Sequence, residues 1–71
     1  MTDWQERLVG EAKSLSEKIV ALTTFVAGSN YLRLSENERG LLIQQLRYMI
    51  DYQYVLNERI SLYKTLSGDS E

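Results

Sequence analysis

Apolar residues at Leu8, Ala12, Leu15, Ile19, Leu22 and Val26 follow one another at spacings of 4, 3, 4, 3 and 4. That rhythm draws them into a single seam along an α-helix. The segment from about Asp3 to Ala27 is therefore predicted to be one helix, with Trp4 a turn ahead of the seam and Phe25 widening it near the end. Lys13, Ser14, Glu17 and Lys18 make its opposite side polar. Gly28-Ser29-Asn30 then supplies a residue tolerant of positive φ and two turn formers, and the helix is expected to stop there.

After the short connection Tyr31-Leu32-Arg33-Leu34, the run Ser35-Glu36-Asn37-Glu38 reads as a capping box, with Ser35 as N-cap and Glu38 reaching back three residues later. A second helix follows from Glu36 to about Leu66, roughly 46 Å long at 1.5 Å per residue. Ser67-Gly68-Asp69-Ser70-Glu71 reads as a flexible polar tail. Gly40, in the helix's first turns, weakens it slightly but would let another backbone come close.

The second helix carries more apolar surface than one partner helix covers. Leu42, Leu46, Met49, Gln53, Leu56, Ile60 and Tyr63 form the seam that suits the first helix. A second line through Leu41, Gln45, Tyr48, Tyr52, Val55, Arg59 and Leu62 lies about 100° away, and a third includes Ile43, Ile50 and Tyr54. The expected fold is thus all-α: one domain over residues 1–71, an antiparallel two-helix hairpin with helices at about 3–27 and 36–66. A hairpin alone leaves those lines in water, and small scaffolds without staples commonly oligomerise, so a closed homo-oligomer is predicted.

Composition narrows the chemistry. There is no Cys, so neither a disulfide framework nor a thiolate metal site is available, and no His, so no imidazole base or histidine ligand. The carboxylates are dispersed, and the close pair Glu36 and Glu38 is explained by its place at a helix N-terminus. No Gly-rich phosphate loop occurs. The chain is accordingly not expected to be an enzyme, to bind a metal or to need a cofactor. A net charge of −2 and a pI near 5.1 disfavour long nucleic acid. Neither a membrane span nor a secretory signal is legible, which points to the cytoplasm.

Binding is better supported. Aromatic residues interleave with arginine: Trp4 near Arg7, Tyr31 with Arg33, Arg47 with Tyr48, and Tyr52 with Arg59. Planar bases stack on aromatic and guanidinium faces, and Arg and Lys donate charge-assisted hydrogen bonds to phosphate, so this pairing is what a small nucleotide pocket requires. The same tyrosines at helical spacing also suit a protein interface, and Arg59 with Tyr63 suits an ordinary i,i+4 pair. The alternative function is therefore a non-catalytic oligomerisation or protein-interaction module, such as a small phage structural or regulatory subunit.

The pattern Leu22-x-x-Phe25, Tyr31-x-x-Leu34, Glu38-Arg39-x-Leu41-Leu42-x-x-Gln45 and Met49-x-x-Tyr52-x-x-x-Leu56-x-x-Arg59-Ile60 covers nearly the whole chain. It resembles the small phage hairpin proteins grouped with the anti-CBASS and Thoeris anti-defence sponges. The resemblance implies a hexamer-like assembly that sequesters cyclic oligonucleotide or cyclic ADP-ribose-type immune signals in the infected host's cytoplasm without cleaving them. It also implies ligand contacts from an aromatic near the N-terminus, a lysine later in the first helix and arginines near subunit boundaries. Trp4, Lys18, Arg59 and Arg7 are the nearest matches, with Phe25 and Tyr52 as further candidate ligand-binding residues. Trp4 and Lys18 lie 14 residues, or about 21 Å, apart on one helix, so a single ligand could meet both only if an antiparallel neighbour brought its own Lys18 beside Trp4.

Overall fold

Each half of the chain must hide one apolar seam, and the two seams hide each other. The computed structural model describes residues 3–66: α1 (Asp3–Val26), α2 (Ser29–Leu32) and α3 (Glu36–Leu66), with no strand among the described residues. The expected tail at 67–71 lies outside them. Leu8, Ala12 and Leu15 of α1 close over Leu56 of α3, and Ile19, Met49, Ile60 and Tyr63 pack around this nucleus. Leu56 is the centre of the core, with no exposed surface at all. The pairing runs antiparallel, because Trp4 meets Tyr63 while Glu11 meets Tyr52.

The start of α3 is set by local chemistry. The Glu38 backbone N–H donates to Ser35 Oγ at 3.2 Å, and the Ser35 N–H donates to Glu38 Oε1 at 3.3 Å. Both halves of the reciprocal cap are thus made, and two otherwise orphaned donors are satisfied.

The connection differs from expectation in three ways. The helix ends at Val26 rather than Ala27, although the Ala27 N–H still donates to the Thr23 carbonyl at 3.2 Å. Ser29 and Asn30 open the one-turn helix α2 rather than a plain turn, tightened by Arg33 and Leu34 N–H groups donating to the Asn30 and Tyr31 carbonyls. Gly28 sits in extended backbone at φ −97°, so positive φ is not the reason for a glycine there. What holds α2 is tertiary: the Tyr31 hydroxyl donates to the Arg39 carbonyl at 3.3 Å, tying the turn to the beginning of α3.

Gly40 also departs from its expected role. A methyl group built there would meet nothing within 4 Å, and the same holds at Gly10. Neither glycine admits a close backbone within the protomer.

The chain spans 50 × 20 × 14 Å. The shortest dimension is little more than the ~10–12 Å diameter of one helix with its side chains. Two helices side by side in a single layer leave both broad faces of the slab in water. Leu41, Tyr48 and Tyr54 are each more than 60% exposed as a result.

Candidate ligand-binding face

The antiparallel contacts decide which side chains share a face. Trp4, Glu11, Lys18 and Phe25 are seven residues apart, so they run in one line beside the α1 seam. Glu11 accepts a hydrogen bond from the Tyr52 hydroxyl. This places the line through Leu41, Gln45, Tyr48, Tyr52 and Arg59 of α3 on the same side of the slab. The register that sets Glu11 level with Tyr52 also sets Trp4 level with Arg59 and Lys18 level with Gln45, since both helices advance at the same rise. Arg7 lies on the outer flank of this side. All six residues expected to bind ligand are therefore on one face, here called the ligand face. Lys18 shares a flank with Trp4 instead of standing opposite the seam.

Within that face the residues form two stations. At the first, the Trp4 ring meets Tyr63 edge-on, with centroids 4.7 Å apart and planes at 86°, a favoured geometry for aromatic quadrupoles. The Arg59 guanidinium carbon lies 5.7 Å from the Tyr63 ring centre, and its Nη2 reaches the Tyr63 hydroxyl at 3.5 Å. The expected i,i+4 pairing of Arg59 with Tyr63 is thus made, and it holds a cation against an aromatic pair. Trp4 and Arg59 remain exposed. Arg7 shares a shallow concavity of about 350 Å³ with Asp3 and Glu6. Two carboxylates against one guanidinium leave that hollow net negative, a poor setting for a phosphate.

The second station is a shallow open groove of about 540 Å³ lined by Leu41, Gln44, Gln45, Tyr48, Met49 and Tyr52. Its polar groups are braced from within: Gln44 donates to the Tyr48 hydroxyl at 2.8 Å, and Gln45 Nε2 reaches Met49 Sδ at 3.9 Å. Tyr52 closes one end. Its phenol is pushed above the usual value because it donates to Glu11, because it is partly desolvated and because the Glu11 charge opposes a phenolate, while Arg59 pulls the other way.

Trp4 and Lys18 stay about 21 Å apart on the unbroken α1, so one protomer does not bring them to one small ligand. Phe25 lies a further two turns on. The basic residues are not gathered in a buried cluster: Arg7, Lys18 and Arg59 are all exposed, and among the described residues no charged side chain is fully buried. No cluster of three or more acidic residues able to hold a metal ion occurs among the described residues. No described helix is long and apolar enough to cross a membrane.

A family model described as Sequestin matches residues 2–62, which takes in α1, α2 and nearly all of α3. The chain belongs to the Sequestin family. No curated protein and no solved structure matches it. In this Sequestin chain the matched span contains both stations up to Leu62, with Tyr63 immediately beyond. Sequence patterning alone does not mark Glu11 as the partner of Tyr52. Its seven-residue step from Trp4 and Lys18 is the signal that places it on the face.

Proposed function

We propose that this Sequestin-family protein is a non-enzymatic sponge: it binds cyclic oligonucleotide or cyclic ADP-ribose-type immune signals and withholds them, uncleaved, from their receptors in a phage-infected cell. The observation that carries the reading is the Trp4–Tyr63–Arg59 cluster, exposed at Trp4 and Arg59, on the same face as Lys18 and Tyr52. A base can stack there while guanidinium and ammonium groups meet phosphate. The family's name, which points to sequestration, supports the same reading.

Stations so open cannot enclose an anion within one protomer. The functional unit is therefore a homo-oligomer of helical hairpins, hexamer-like in the family resemblance. Once a signal is bound, a second copy lying antiparallel on the ligand face would carry its Lys18 to Trp4 and close the pocket. Mass action sets the demand: a sponge must hold the signal below its receptor's threshold, which asks for nanomolar affinity, roughly −12 kcal/mol.

The test is thermal denaturation of the full chain against a panel of cyclic dinucleotides, cyclic trinucleotides and cyclic ADP-ribose isomers. The reading expects at least one of them to raise the melting temperature with its concentration. An intact oligomer unmoved by every member would instead favour the protein-interaction module, for which the exposed Tyr48 and Tyr54 are suited.

A further inference from the structure

The slab has a second broad side, opposite the ligand face, and its chemistry is different. Beside the α1 seam it presents Val9 and Val20. Beside the α3 seam it presents Ile43, Ile50 and Tyr54, all between 39% and 64% exposed. The residues interleaved with them near the centre, Ser16 and Asn57, carry no charge. Charges stand at its margins, with Glu6 and Lys13 on α1 and Arg47 and Glu58 on α3, and towards the ends of α3, where Glu36 and Arg39 precede Ile43 by seven and four residues and Lys64 follows Asn57 by seven. An apolar, uncharged centre within a mixed charged rim is the anatomy of a protein interface.

The ligand face could not serve as well. It carries Arg7, Glu11, Lys18 and Arg59 among its aromatic residues. Stacking a bare copy against it would take four charges per protomer out of water, at several kcal/mol per ion unless each were paired. Over the length of α1, about 36 Å, and the 20 Å width of the slab, this side, its charged margins included, offers on the order of 700 Å² in plan. That is close to the ~800 Å² per partner of a standard stable interface. Two slabs joined there make a four-helix bundle, which gives the one-layer hairpin the second layer that a domain core needs.

We infer that the Val9, Val20, Ile43, Ile50 and Tyr54 side is the ligand-independent self-association surface, its occupant a second copy of this chain, so that the ligand face stays open for its signal. The inference deepens the homo-oligomer reading above and does not depend on which signal is bound.

Size-exclusion chromatography with light scattering tests it. The wild-type chain is expected at a multiple of 8.2 kDa, Ile50→Asp at 8.2 kDa, and Tyr48→Asp, on the ligand face, at the wild-type mass. Because a lone hairpin can unfold, a second measurement needs no dissociation. The chain has no native cysteine, so Ile50→Cys and Tyr48→Cys each carry a single thiol, and maleimide labelling is expected to be about tenfold slower at 50 than at 48. A monomeric wild type, equal labelling at the two positions, or dissociation by Tyr48→Asp but not by Ile50→Asp would overturn the inference. A monomer still stabilised by a cyclic nucleotide sinks this surface alone. An intact oligomer that responds to none sinks only the sponge.

Discussion

Replacing Leu56 by Ala probes the one point where the protein is fully closed to water. Leu56 has no exposed surface and stands at the meeting of Leu8, Ala12 and Leu15. The substitution removes three carbons, worth roughly 0.8 kcal/mol each in transfer, or about 2.4 kcal/mol. A cavity adds to this, and the measured range for such changes is about 2–5 kcal/mol. The partly buried neighbours Ile19, Met49 and Ile60 let the site collapse partly, which places the loss near ~3 kcal/mol. A chain of 71 residues has about 4–11 kcal/mol of stability in all, so a large fraction is lost. Urea unfolding followed by circular dichroism, at one fixed protein concentration, measures it. Leu32→Ala is the control, because Leu32 is 69% exposed and its truncation should cost under ~0.5 kcal/mol. A Leu56→Ala loss below about 1 kcal/mol, or a loss no larger than the control's, would refute a core centred on this residue.

Ser35→Ala removes one half of the reciprocal cap of α3 and should cost about 1 kcal/mol in the same assay. Gly10→Ala and Gly40→Ala, at helical positions with open space around the new methyl group, should each stabilise by up to about 1 kcal/mol, and a destabilisation would reveal a neighbour pressed against that backbone. Tyr52 has its phenol raised in the folded chain, chiefly by the hydrogen bond to Glu11. Its contribution is therefore complete below pH 10 and fades as pH climbs through the raised value, so Tyr52→Phe should flatten the alkaline end of the stability profile and leave the neutral region's slope unchanged. Arg59→Ala should weaken the binding of any stabilising cyclic nucleotide by about tenfold or more while leaving oligomer mass unchanged. Dissociation instead would make Arg59 an interface residue.

Features determined by neighbours a few residues apart were readable from the chain alone. The 4-3-4-3-4 seam of α1 is set by steps of one turn each and the Ser35 to Glu38 box closes within one turn, and both stand where the spacing puts them. The one-turn helix α2 was not readable, because Ser29-Asn30 has ordinary turn chemistry and its helicity goes with a tie from Tyr31 to Arg39 eight residues on. Nor was the link of Tyr52 to Glu11, which joins residues 41 apart and exists only once the helices have chosen their register. For the site, residue types were legible and their grouping was not. Trp4, Lys18, Phe25, Tyr52 and Arg59 qualify by chemistry, but only the antiparallel register puts them on one side of the slab. Arg7 stands with Asp3 and Glu6 of its own helix, four and one residues before it, a setting that follows from local spacing and not from residue type.

A protein that withholds a signal, as proposed, returns it unaltered, and equilibrium dialysis followed by heat release reads both halves at once. A cyclic dinucleotide, cyclic trinucleotide or cyclic ADP-ribose isomer that stabilises the fold is dialysed to depletion against excess protein. The protein is then denatured, and the freed small molecule is identified by mass spectrometry. Depletion followed by near-complete return of the same molecule is expected. Return of a hydrolysed product, or no depletion by any member of the panel, would contradict it.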